Sequence, residues 1–483
     1  MKPTDTSGAL DRWSARFLWA GIAVSSTLTA YILYQSERYL FSAESAVAYL
    51  VFPIGAALIF GLMLKASPEA RANFTLLLAV SGVIVYSAEV YLAILAPADG
   101  NEARQKAAME AGVAFDSRTR LEVVKDMRSR GEEAFSLVTP ALLFQKKVSG
   151  YVESSLKING RETIPLGSIA RATQILCNES GEYITFKSDR HGFRNPDKVW
   201  NAAAGGIAVV GDSFAQGVCV GGEAEAVALI RREAPSTINL GMAGNGPLLE
   251  LAAFGEYLPR LRPAATLWFY FEHNDLENLA DERRTLLINY LDDGFSQMLW
   301  DRPGEIDKRM RGYFNERMNV EQKDINVFFS NPRRLSDKIA DVVKLGLLRQ
   351  RLNFAFGKSE KRDVFREEMQ LFRKALEKAK SRAAVWGGEI YFVYLPHWGR
   401  YADPAIVVDA PLRQLPEHYK QDIEKMTSEL GIRFIDMDAA FTATGDPLSL
   451  FPYRQMGHYN EKGHALVAKT LIEVLRKNGL IKE

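Results

Sequence analysis

Cysteine and histidine are scarce in this chain, with two and six in 483 residues. No Cys/His grouping has the spacing of a metal-ligand set, so neither a metal nor a cofactor is expected. An excess of charge is missing as well. Sixty Lys and Arg balance 59 Asp and Glu. No dense basic run occurs, which removes the electrostatic footprint expected of a nucleic-acid binder.

Apolar sequence is plentiful and unevenly spread. Hydrophobic residues make up 47% of the chain, enough for a sizeable core and more than one structural unit. Three runs at the front, 17–34, 46–64 and 74–96, are each long enough to span a hydrocarbon core, which takes roughly 20 apolar residues. The first is long for a signal peptide, no small-x-small cleavage site follows it, and two further runs come after it. Three retained transmembrane helices are expected, with the lipid bilayer as partner. Lys2, Arg12 and Arg16 precede the first run, and Lys65 and Arg71 separate the second from the third. The first connection carries only Arg38 against Glu37 and Glu44. That asymmetry puts the N-terminus in the cytoplasm. Everything after residue 96 is then outside, in the periplasm of a Gram-negative cell whose inner membrane holds the helices. Glu89, near the outer end of the third run, is expected to snorkel.

Outside the cytoplasm a disulfide is permitted. Cys177 and Cys219 are 42 positions apart (219 − 177), and two readings stay open, a cross-link or two buried thiols.

Residues 97–204 begin as a charged helical connector and continue as short strand-like pieces with Gly and Asn-Pro turns, the pattern of a small cap. Apolar runs at 207–214, 237–244, 265–275, 389–398 and 432–437 then alternate with amphipathic helices. This argues a parallel sheet covered on both faces. The alternation pauses over 276–361, a polar and mostly helical insertion expected to lie over the sheet's upper edge as a lid. The sheet domain therefore comprises 205–275 and 362–483, behind a membrane anchor at 1–96.

In such a sheet, ligands bind beyond the carboxyl ends of the strands. Ser213 follows the first run, Gly244 the second and Asn274 the third, and His458 lies between the fifth and the last helix, which Asn460 should cap. Ser213 can act as a nucleophile once His458 takes its proton. The backbone N–H groups of Ser213 and Gly244, with the Asn274 amide, would form an oxyanion hole. The reaction class is acyl transfer from an ester.

These residues carry a resemblance. GDSF at 211–214, NLGMAG at 239–244, EHND at 272–275 and the HYN and GH around His458 and His464 resemble the blocks of the SGNH (GDSL-type) hydrolase superfamily. The resemblance implies a three-layer, flavodoxin-like α/β fold with about five parallel strands, and Ser213, Gly244, Asn274 and His458 in the roles above. Membrane-anchored, periplasm-facing relatives imply an acylated polysaccharide, exported or of the cell envelope, as substrate. Ala215 excludes the G-x-S-x-G elbow of the other large esterase fold.

Two positions depart from the pattern. The family's acid, three residues before the histidine, is Gln455 here, followed by Met456 and Gly457, and Glu272 replaces a glycine. An acid from elsewhere, with Asp446, Asp438 and Glu272 as candidates, could orient His458. Otherwise a backbone carbonyl does so in a dyad, or activity is lost and the chain is a binding or assembly component of polysaccharide export. A lipid-directed esterase is a further alternative, and hydrolase and acetyltransferase would use the same residues. Plainer roles are expected elsewhere: His191 in a turn, His464 at the surface or in packing, Asp212 capping the nucleophile turn, Trp268 and Tyr270 in the core. Trp398 and Tyr401 are either packed or stack on sugars.

Overall fold

The computed structural model describes residues 6–34, 43–95, 100–147, 150–201, 205–320, 342–351, 358–403 and 418–482. Lys2, Glu37 and Arg38, used above for orientation, lie outside these residues, as do 321–341 and 352–357 of the expected insertion. The chain forms two compact units, one drawn from Met1–Pro97 and Arg333–Phe365, the other from Ala98–Pro332 and Arg366–Glu483.

The first unit holds helices α1 (Thr6–Tyr34), α2 (Ala43–Met63) and α3 (Pro68–Leu95). Leu10–Tyr34 and Pro68–Leu92 are long and apolar enough to cross a membrane, whereas the apolar stretch of α2, Tyr49–Met63, is shorter. Among the described residues two helices therefore meet that length, and α2 as a whole runs 21 residues. Trp19, Phe52 and Leu76 are exposed, part of an apolar surface that water disfavours. Arg71 bonds Asp11 at 2.6 Å, joining the start of α3 to the start of α1. Glu89 does not snorkel: it is fully buried and accepts the Leu348 N–H at 2.7 Å.

The second unit is built on five parallel strands: β1 (Ile207–Val210), β2 (Ile238–Asn239), β3 (Ala265–Phe271), β4 (Glu389–Leu395) and β5 (Arg433–Asp436). Their order across the sheet is 5-4-3-1-2, a doubly wound arrangement. Every residue of β3 is buried, because helices cover both faces. Leu267, Phe269 and Phe271 pack with Val209, Val393, Ile230 of α5 (Ala226–Glu233) and Leu471 of α10 (Glu461–Lys477), helices numbered in chain order with α4 and α6–α9 below. Trp268 and Tyr270, core residues as expected, face the other layer, where Phe372 of α8 (Lys358–Ala384) stacks on Tyr270 at 5.2 Å. In register, Val210 pairs with Trp268, Phe271 with Leu395 and Tyr394 with Asp436. The strands thus open their carboxyl ends on one edge. Asn460 caps α10, its side chain accepting from Lys462 and Gly463 N–H.

Ahead of the sheet, α4 (Gly100–Glu110) leads into a cap of short strands, including the three-stranded sheet of Ala134–Ser136, Thr173–Ile175 and Thr185–Lys187. The cap is stitched to the sheet by buried polar side chains. Asn195 accepts the Asn239 N–H and donates to the Asn239 carbonyl, both at 2.8 Å, so a side chain closes the edge of β2. Arg194 donates to the carbonyls of Gly217 at 2.5 Å and Val220 at 2.9 Å, holding the loop that follows Ser213. Asp189 accepts from Trp200, Asn195 and two backbone N–H groups, and burial raises its carboxyl to about 6. His191 does not merely serve a turn: its ring packs against Trp200, Tyr257 and Trp300, and burial lowers its pKa to about 4.

The described start of the expected insertion buttresses the sheet layer. Glu282 accepts the Gly246 and Leu248 N–H groups at 2.6 and 2.9 Å, capping α6 (Pro247–Leu261). Phe314 of α7 (Pro303–Val320) packs edge-on against Phe135 of the cap at 5.2 Å. Helix α9 (His418–Glu429) completes the layer, Tyr419 lying against Tyr270.

Candidate active site

The turn after β1 places Ser213. Asp212 caps a short helix, Ser213–Gln216, by accepting the Phe214 N–H at 2.9 Å, which turns Ser213 toward the strand edge. Asn239, at the end of β2, donates to the Ala215 carbonyl at 2.7 Å and accepts from Gly241 at 2.9 Å. One side chain therefore binds the nucleophile turn to the next loop. Further along that loop Gly244 has φ of +79°, a conformation costly for any residue with a Cβ. Asn274 follows β3 at the start of the helix Asp275–Glu282, and its amide favours the charged form of the Asp212 carboxylate beside Ser213. Burial, opposed by its hydrogen bonds and by His458, raises Asp212 to about 6.

His458 closes the constellation. Its Nε2 lies 2.9 Å from Ser213 Oγ, and its Nδ1 lies 3.2 Å from Glu179 Oε1. The backbone N–H of His458 donates to the other oxygen of Glu179 at 2.8 Å. With its proton on Nδ1, facing the carboxylate, the imidazole presents Nε2 as acceptor for the serine hydroxyl. Glu179 is buried, which by itself pushes its carboxyl up, but the charges of Arg104 and His458 and the hydrogen bonds from His458 outweigh this and bring it down to about 2. It is held as an anion where an imidazolium would form.

None of the three anticipated acids takes this position. Asp446 is paired with Arg454 at 2.7 Å on the surface. Asp438 accepts from Tyr401 at 2.7 Å and Lys420 at 2.9 Å. Glu272 is buried under Arg400, Tyr394 and the His397 N–H, the last at 2.7 Å. Each already has cationic or hydrogen-bonding partners, and the role passes to a residue of the cap. Trp398 and Tyr401 are packed, Trp398 Nε1 donating to the Arg454 carbonyl at 3.0 Å. His464 is buried and its Nδ1 accepts the Ala226 N–H at 3.3 Å.

Cys177 and Cys219 are joined in a disulfide, the first of the two readings. Cys219 is six residues beyond Ser213 (219 − 213) and Glu179 two beyond Cys177 (179 − 177), so the cross-link carries the acid to the nucleophile loop. The ligand-type atoms of Glu179, Cys219 and His458 lie within 4.8 Å of one another. Because the Cys219 sulfur is committed to the disulfide, it offers no thiolate, and the set does not fit a metal. Arg104, also missed, forms an ion pair with Glu179, its Nη2 3.2 Å from Oε1, and donates to the Met456 carbonyl at 3.0 Å. Gly457 is required by this crowding, since a Cβ there would meet Glu179 Oε2 at 2.5 Å.

No protein-family model matches the chain. No curated protein matches it either. Solved structures similar to it include an alpha/beta hydrolase enzyme from the metagenome of Lake Arreo, Spain, at 14% identity over 59% of this chain and 100% of that one, with a TM-score of 0.31. A catalytic mutant of an acetylxylan esterase from Geobacillus stearothermophilus shares 14% identity over 58% of this chain and 99% of that one, with a TM-score of 0.30. At these values the likeness bears no weight, and the chemistry is argued from the geometry alone.

Proposed function

We propose that the chain is a serine-dependent ester hydrolase or O-acyltransferase of the SGNH type, working through an acyl-Ser213 intermediate. The observation that carries the reading is the continuous relay from Ser213 Oγ to His458 Nε2 at 2.9 Å and from His458 Nδ1 to Glu179 at 3.2 Å. His458 removes the serine proton as Oγ attacks the ester carbonyl, and the anionic Glu179 offsets the imidazolium that forms. The N–H groups of Ser213 and Gly244 and the Asn274 amide receive the developing oxyanion. His458 then protonates the leaving alkoxide, and water or a sugar hydroxyl releases the acyl group. The occupied acid position favours this reading over a catalytically silent assembly component.

The proposed substrate is an acetyl ester on an exported or cell-envelope polysaccharide, as the family resemblance implies. The proposed setting is the inner membrane, with α1–α3 crossing it and the catalytic unit in the periplasm. The test uses the full chain in detergent. Ser213→Ala should abolish both turnover of an activated acetyl ester and labelling by a fluorophosphonate probe. Retention of either by the variant would remove Ser213 as nucleophile and the reading with it.

A further inference from the structure

Arg104 stands on α4, the first described helix after the membrane-anchor segment, and neither its helix nor the segment from Gly100 to Glu110 belongs to the strand-and-helix alternation that builds the sheet. Even so, its guanidinium reaches the centre of the relay. Nη2 lies 3.2 Å from Glu179 Oε1 and 3.0 Å from the carbonyl of Met456, two residues before His458. The Arg104 and Glu179 side chains are only 13% and 3% exposed, so their ion pair is made largely out of water, where a charge contact is strong, while the bond to Met456 is exposed. The acid's loop and the histidine's loop are also tied directly: Tyr453 donates its hydroxyl to the Ser180 carbonyl at 2.6 Å. At Glu179 the same carboxylate oxygen that faces His458 Nδ1 is the one that faces Arg104.

We infer that Arg104 is a positioning residue, and that it makes the alignment of the Glu179–His458 pair depend on the seating of the juxtamembrane helix α4. The inference rests on the proposed serine mechanism. By holding Glu179 and the Met456 carbonyl together, Arg104 fixes the carboxylate against the imidazole. By sharing the carboxylate's charge, it also weakens the pull of Glu179 on a proton at His458. Displacement of α4 from its seat would release both effects at once. Glu179 faces Arg104 and His458. His458 itself faces Ser213, Glu179, the Cys219 sulfur, Asp212 and His464. Among these groups, Arg104 is the cation whose removal leaves the Glu179 charge undivided before His458.

The experiment compares the full chain in detergent with Arg104→Ala, Arg104→Lys and Lys106→Ala, measuring kcat, KM and the pH dependence of kcat/KM on an acetyl ester. Lys106 is on the same helix but faces solvent and pairs only with Glu110 at 3.9 Å among the described contacts, so its variant should behave as the parent. Arg104→Ala should lower kcat by about tenfold to ~10²-fold, the range for a displaced catalytic group, with KM within twofold. The undivided carboxylate favours the protonated imidazole, so the acid limb of the profile should move to higher pH. Arg104→Lys should recover part of kcat and return the limb. A kcat loss with an unmoved limb and no recovery by lysine overturns the inference, as does parental behaviour of Arg104→Ala. Either result leaves the serine mechanism standing while Ser213→Ala is inactive; residual turnover in Ser213→Ala would instead overturn the mechanism itself.

Discussion

Glu179 stands where the resemblance to SGNH hydrolases would have placed an acid at position 455. A neutral amide at Gln455 could orient an imidazole but not balance its charge, whereas Glu179 does both from a distance of 279 residues along the chain. The anion is secure because the influences of Arg104 and His458 overcome the cost of burial and hold its carboxyl down to about 2. Glu179→Gln keeps the shape and removes the charge. Its expected effect is a fall in kcat of up to ~10⁴, the cost of replacing a triad acid by its amide, with little change in KM. Asp446→Asn, which breaks only the surface pair with Arg454, should stay within a few-fold of the parent, in keeping with the small worth of exposed ion pairs. Steady-state kinetics on one ester substrate checks both, and equal losses in the two variants would return the search for the acid to its start.

At the scale of elements, what the sequence revealed and what it concealed divide along a physical line. Strands β1, β3 and β4 announce themselves because burial on both faces demands unbroken apolar runs such as ATLWFYF. The start of α10 is equally local, since Asn460 must satisfy N–H groups two and three residues away. The positions of Ser213, Gly244, Asn274 and His458 beyond the strand ends were legible for that reason, and the roles proposed for them rest on those positions. The acid was not, because its position depends on a cross-link and on cap contacts far apart in the chain, which no periodicity encodes. Glu89 was misjudged similarly: its partner, the Leu348 N–H, is 259 residues away. The disulfide should therefore act on both stability and rate. Closing 42 residues is worth about 4 kcal/mol on the loop-entropy model. The double change Cys177→Ser and Cys219→Ser should lower Tm, and well below that temperature it should still reduce kcat by about tenfold through a looser Glu179. Thermal unfolding and kinetics of the full chain separate the two effects: a lowered Tm with an unchanged kcat would confine the cross-link to stability.

For the whole molecule, the proposed orientation rests on two independent physical facts. Arg12 and Arg16 lie in the first turns of α1, Lys65 between α2 and α3 and Arg71 in the first turn of α3, and the Arg71–Asp11 bond at 2.6 Å puts the starts of α1 and α3 at the same end of the helix group. On the proposed orientation the positive-inside rule puts that end in the cytoplasm, so that α1 would leave it, α2 return to it and α3 lead out on the far side. The second fact is the disulfide, since glutathione and thioredoxin keep cytosolic thiols reduced, whereas the periplasm oxidises them. The chain has no cysteine besides this pair, which makes thiol counting a topology measurement. Full chain from cells, denatured without reductant and treated with a maleimide polymer, should show no mass shift. After reduction, two additions should appear. Two additions before reduction would mean a pair held in the reducing cytoplasm, and the catalytic unit would have to be drawn on the other side of the membrane, away from any exported glycan.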